Sequence, residues 1–170
     1  MRLAELYTRW AQISVLLCSL LIQLVSCVPS PAPVGFGDIN AKLPALTPSD
    51  FSTSTSKGMW LVEFYSPSCP HCRHFAPVWQ DVVEVQEHLA LTADFHMSRV
   101  NCLTFGDLCN EQKIEGYPTL KLYADSKYIE DYTGKRKYDD LTSYVTARAR
   151  DYQKAKHEAQ MQGQGQNAGH

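Results

Sequence analysis

The seven residues Met59-Trp60-Leu61-Val62-Glu63-Phe64-Tyr65 constrain this chain more than any other stretch. The run is apolar at nearly every position and of strand length, the pattern of a central strand covered on both faces. A strand buried in that way needs helices packed above and below it. The next residues supply the start of one. The chain passes through Ser66-Pro67-Ser68 into Cys69-Pro70-His71-Cys72, with a proline of fixed φ at the first helical position. Two thiols separated by two residues therefore sit at a strand-to-helix junction. Unpaired backbone N–H groups and the helix dipole favour a thiolate there.

The surrounding pattern agrees with a layered α/β chain. Thr47-Pro48-Ser49-Asp50 reads as a helix start with Thr47 as N-cap and Pro48 at the first helical position. After Pro70 a helical pattern runs to about Leu91, interrupted at Pro77, where a missing donor should kink it. Phe95 to Val100 reads as a strand, Asp107 to Ile114 as a short helix, and Thr119 to Tyr123 with Tyr128 to Tyr132 as a hairpin pair. From Asp139 the chain is helical, and from Gln160 a Gln/Gly-rich stretch predicts a disordered tail. Strands alternating with helices, then a terminal hairpin and helix, give an α/β sandwich with a mixed sheet.

The first 27 residues read as a secretory leader. Arg2 and Arg9 precede an apolar stretch from Ala11 to Val25, followed by Ser26, Cys27 and a Pro-rich run. The stretch is shorter than the roughly 20 residues a spanning helix needs and carries Gln12 and Gln23, which speaks against an uncleaved anchor. Leu24-Val25-Ser26-Cys27 also resembles a lipoprotein cleavage box, with Cys27 as the lipid site. Residues 28–39 form a Pro/Gly-rich linker, residues 40–152 one domain, and residues 153–170 the helix end and tail. After leader cleavage no membrane association is expected. A net charge of -2 with dispersed Lys and Arg predicts no nucleic-acid partner.

Of six cysteines, Cys18 and Cys27 fall in the leader, leaving Cys69, Cys72, Cys102 and Cys109. An even number in an oxidising compartment favours two disulfides. The first pair is too close in sequence to restrain much unfolded-chain entropy, so its use is chemical. The second closes a loop worth about 2 kcal/mol if bonded, and two buried free thiols are the alternative. Cys69, at the helix start, is the expected attacking sulfur. Cys72, one turn further in, is expected to have the higher pKa and to resolve a mixed disulfide. His71 can place an imidazolium near Cys69 and stabilise the reduced pair. Glu63 is costly to bury without a partner or a raised pKa, and it lies where it can exchange a proton with Cys72.

Leu61-Val62-Glu63-Phe64-Tyr65-Ser66-Pro67, then Cys69-Pro70-His71-Cys72, Phe75-Ala76-Pro77 and Gly116-Tyr117-Pro118-Thr119-Leu120 together resemble the catalytic domain of the protein disulfide isomerase family, a thioredoxin fold. The resemblance covers roughly Asn40 to Arg150. It implies a cis peptide bond between Tyr117 and Pro118, packed against the cysteine pair, with Tyr117, Pro118 and Thr119 presenting backbone to a substrate. It also implies that Glu63 is the family's buried acid, that Arg136 lies where an arginine swings toward the resolving cysteine, and that Arg99 replaces a lysine paired with the acid. Two departures matter. The family has Trp before the first cysteine and Gly after it, whereas Ser68 and Pro70 stand here. The Pro-His pair resembles instead the bacterial periplasmic disulfide oxidase, which predicts a couple at least as oxidising as ordinary isomerases.

The leading expectation is a thiol-disulfide oxidoreductase that forms and rearranges disulfides in folding client proteins. It would use its own redox-active disulfide with no separate cofactor and be recharged by an upstream oxidant or glutathione. A non-catalytic chaperone module using the groove around Tyr117 and Pro118 is the alternative, but a pure binder has no need for two thiols at a helix start. A zinc site from Cys69, His71, Cys72 and His74 is disfavoured, because ligands within six consecutive residues cannot close a tetrahedron. The expected location is the endoplasmic-reticulum lumen or the exterior. The final Asn167-Ala168-Gly169-His170 is no retrieval tetrapeptide.

Overall fold

A computed structural model describes residues 42–167. The leader, the linker, Cys18 and Cys27 lie outside the described residues. Strand β1 (Met59–Tyr65) lies where its apolar run places it, between β2 (Phe95–Asn101), which is parallel to it, and β3 (Thr119–Ala124), which is antiparallel. Strand β4 (Lys127–Asp131) pairs antiparallel with β3, giving the order β2-β1-β3-β4. The β3–β4 connection is the two-residue turn Asp125-Ser126, with φ of 48° and 70°. Two left-handed residues in succession match the right-handed twist of the strands they join. On the outer side of β2, Ala45 bridges to Arg99, and the Leu46 N–H donates to the Arg99 carbonyl at 2.8 Å.

The pleat of β1 divides the core. Leu61 packs with Phe75, Ala76, Trp79 and Val82 of helix α2 (Pro70–Gln86) and with Leu141, Val145 and Ala149 of a long C-terminal helix, Tyr138–Asn167. Val62 and Phe64 turn the other way, onto Phe51 of the short helix α1 (Phe51–Ser54) and onto Leu108 and Cys109. Because side chains alternate along a strand, Glu63 falls on the Leu61 face, beneath α2. Among the described residues no helix is long and apolar enough to cross a membrane.

Several boundaries differ from the sequence reading, each for a local reason. Helix α1 begins at Phe51 and not at Pro48. The Thr47 hydroxyl pairs with Ser49 Oγ at 2.7 Å, and the Asp50 carboxylate accepts the Thr47 N–H at 2.6 Å, so a side-chain turn precedes the helix. Helix α2 runs through Pro77 and stops at Gln86, and a separate turn, α3 (Leu89–Thr92), follows. At the break His88 Nδ1 lies 3.1 Å from the Val85 carbonyl, taking up a group the helix would otherwise use. Helix α4 (Gly106–Glu111) ends before Ile114 because Lys113 turns left-handed, at φ 56°. The Lys113 N–H returns to the Asn110 carbonyl and the Ile114 N–H to that of Cys109, a Schellman closure. The last helix, α5 (Tyr138–Asn167), continues past Gln160 into the stretch expected to be disordered. Its Ala, Gln, Glu and Met residues favour helix and offset glycines that cost about 1 kcal/mol each.

Candidate active site

Cys69 is the N-cap of α2, in extended conformation, and Pro70 occupies the first turn. The Cys69 N–H donates to the Ser66 carbonyl at 3.1 Å, turning the chain from β1 into the helix. Cys69 is half-exposed and Cys72 fully buried, and both are free thiols. Their environments push them apart. Cys69 is held below the usual thiol range, first by the backbone N–H of Cys72, then by the Cys72 side chain, the His71 N–H and the Arg73 charge, against a desolvation cost. Burial pushes Cys72 up to about 12, helped by the nearby Cys69 and Glu63 charges and opposed by the Ser66 N–H.

Glu63 lies opposite Arg99 in the β1–β2 register and is wholly buried, as is Arg99. Arg99 Nη2 comes within 2.8 Å of Glu63 Oε2, and the guanidinium stacks 3.7 Å from the centroid of Tyr65. Burial nevertheless raises the Glu63 carboxyl to about 7, against the pull of Arg99 and, more weakly, Arg136. The arginine does not prevail because taking the carboxylate out of water costs more than the Arg99 charge and hydrogen bond return. A carboxyl that exchanges its proton near neutrality thus stands under the high-pKa thiol.

Above the thiols lies the segment before β3. The Tyr117–Pro118 bond is cis, Pro118 is buried, and Tyr117 is exposed. The Cys69 thiol lies 3.6 Å from the Tyr117 carbonyl, and the Thr119 hydroxyl donates to that of Gly116 at 2.8 Å. Arg136 Nη2 donates to the Pro118 carbonyl at 2.7 Å, which brings its charge to the same spot as Glu63 and the proline loop. Its own loop is tied down by Tyr132, whose hydroxyl donates to the Lys135 carbonyl at 2.7 Å and whose N–H donates to Leu120. Any side chain at Gly134 would collide with the Tyr132 ring, at 2.6 Å from a Cβ.

The structure thus brings Cys69, Pro70, Cys72, Glu63, Arg99, Tyr117, Pro118 and Arg136 to one end of the sheet. His71 is exposed and acts on the sulfur through its backbone N–H. The side-chain cation acting on Cys69 is Arg73, which the sequence reading passed over. Helical side chains lean back toward the N-terminus, so a long cation one position past the second thiol reaches the loop before the first. Cys102 and Cys109 form a disulfide. The Cys102 N–H donates to the Tyr65 carbonyl at 2.8 Å, so the bridged loop abuts the end of β1 from which the thiol loop departs.

The thioredoxin family model matches residues 42–147. ER-retained PMA1-suppressing protein 1 of Saccharomyces cerevisiae is 42% identical over 88 residues, which cover 52% of this chain and 13% of that protein. Protein disulfide-isomerase A6 of Mus musculus is 36% identical over 127 residues, covering 69% of this chain and 26% of that protein. This chain therefore spans little more than a quarter of either relative at most. Among solved structures, the first two thioredoxin domains of Saccharomyces cerevisiae Eps1p superpose with a TM-score of 0.60 at 34% identity, covering 71% of this chain and 42% of that one. With its sheet order, its flanking helices and a family match over most of its described length, the chain belongs to the thioredoxin family, with relatives among the protein disulfide isomerases.

Proposed function

We propose that this domain is a thiol-disulfide oxidoreductase that forms and rearranges disulfides in folding client proteins of the secretory pathway. The observation that carries the proposal is the split between two thiols one helical turn apart, Cys69 lowered and half-exposed, Cys72 raised and buried. The Cys69 thiolate attacks one sulfur of a client disulfide, forming a mixed disulfide and releasing the other sulfur as a thiolate. Cys72 then gives its proton to Glu63 and attacks Cys69 Sγ, closing the Cys69–Cys72 disulfide and releasing the second client thiolate. The client gains two electrons and the pair loses two. Run backward, the same steps oxidise a client dithiol, and Glu63 returns the proton to Cys72. An upstream oxidant or oxidised glutathione restores the disulfide, with no further cofactor. Residence in the endoplasmic-reticulum lumen or export fits the expected leader and the similarity to the ER-retained yeast protein. Nucleic acid and membrane have no part in this reading.

Pro70 and the lowered Cys69 thiol stabilise the reduced form, so the couple is an oxidant. Equilibration with glutathione buffers should give a potential above about -240 mV, and a thioredoxin-like value would refute that direction. Recovery of activity from reduced and from scrambled ribonuclease should be lost in Cys69→Ser, whereas Cys72→Ser should trap mixed disulfides. Undiminished recovery with both variants would instead support a chaperone module.

A further inference from the structure

Two consecutive backbone carbonyls before the attacking sulfur are met by one side chain, and the carbonyl of Cys69 takes the first-turn helical bond from the same residue. Arg73 Nη1 donates to the Ser68 carbonyl at 3.1 Å and approaches that of Pro67 at 3.4 Å, and the Arg73 N–H donates to the Cys69 carbonyl at 3.2 Å. The same loop is braced from inside by Ser66 Oγ and Ser68 Oγ, 2.9 Å apart. Ser68 is exposed and has no bulky ring to pack the loop down. A grip from outside therefore has a task to perform.

We propose that Arg73 is a positioning residue of the redox site: it clamps the Pro67-Ser68 backbone, immediately before Cys69, onto α2 and keeps a fixed cation beside the attacking sulfur. Guanidinium suits this because the two N–H bonds of Nη1 are held in a fixed plane and meet both carbonyls from one nitrogen, which a lysine ammonium on a flexible stem does less well. The clamp also fixes Ser66, whose N–H faces Cys72, so one side chain steadies the surroundings of both sulfurs. Arg73 stabilises the thiolate form, hence the dithiol state, hence the oxidising strength of the pair. The inference rests on the oxidoreductase reading for its consequence in turnover and not for its effect on Cys69.

The relevant equilibrium is enzyme dithiol plus oxidised glutathione giving enzyme disulfide plus two reduced glutathione molecules. Arg73→Gln and Arg73→Lys in the full chain would be compared with wild type by site-resolved alkylation of Cys69 across pH and by this equilibrium. In Arg73→Gln the alkylation midpoint should rise and the equilibrium constant should increase about two- to fivefold, the range of a surface charge at a helix N-terminus. Arg73→Lys should recover less than half of either change. Arg73 is exposed, so thermal unfolding should be unaltered in both. Wild-type values in Arg73→Gln would overturn the proposal, and full recovery in Arg73→Lys would overturn the clamp. A wild type unable to oxidise reduced ribonuclease, with Arg73→Gln still shifting Cys69, would refute the oxidoreductase reading and support the Arg73 assignment.

Discussion

Burial of Glu63 beneath α2 holds its proton exchangeable near pH 7, and that placement opposes folding at the same time. A carboxyl whose folded pKa is raised binds its proton more tightly when folded. Its contribution to stability is fully present below the unfolded pKa, about 4.5, and is lost as pH rises to about 7. Urea unfolding of wild type and Glu63→Gln, which shares the Arg99 environment but does not titrate, isolates the effect. Wild type should lose stability relative to the variant between about pH 5 and pH 8. In turnover the order reverses: Glu63→Gln should slow closure of the Cys69–Cys72 disulfide by on the order of 10²-fold, measured by rapid quench. Gly58 is a second constrained position, at φ +78°, where a Cβ would stand 2.6 Å from Asp94 Oδ1 and 2.7 Å from the Asp94 carbonyl. Gly58→Ala should cost more than about 1 kcal/mol in urea unfolding.

At the scale of elements, α5 buries an apolar row, Leu141, Val145, Ala149 and Tyr152, spaced three or four residues apart against the α2 face of the sheet. Leu141 is completely buried, and Leu141→Ala should cost about 3 kcal/mol by calorimetry or denaturant unfolding. Apolar periodicity of this kind made the elements legible. The strand at Met59–Tyr65 and the helix from Pro70 are where the pattern put them because burial on both faces, and a proline at a helix start, leave few other options. The ends were less legible. Termination of α4 depends on a left-handed Lys113, and termination of α2 on a His88 side chain, neither of which periodicity encodes. In the site, the cysteine pair and Glu63 announce themselves by being out of place chemically. Arg73 does not, since an exposed arginine on a helix looks ordinary until its reach along the preceding turn is known.

The whole molecule gathers its site from distant parts of the chain. β1 carries Glu63, α2 the thiols, the segment before β3 the proline loop, and the loop before α5 brings Arg136. The Cys102–Cys109 bridge braces the rim from the β2 side. Replacing both of its cysteines by Ala should cost about 2 kcal/mol, the loop-closure entropy of so short a ring, in denaturant unfolding of protein whose active-site pair is reduced. The contrast between Cys69 and Cys72 arises wholly from this assembly. In an unfolded chain both would be ordinary thiols, three residues apart, with nothing to tell them apart. Reactivity itself is therefore a signature of the native state. A brief pulse of alkylating reagent should mark Cys69 alone in folded molecules and both thiols in unfolded ones, so the ratio of the two adducts counts the folded fraction without any spectroscopic probe.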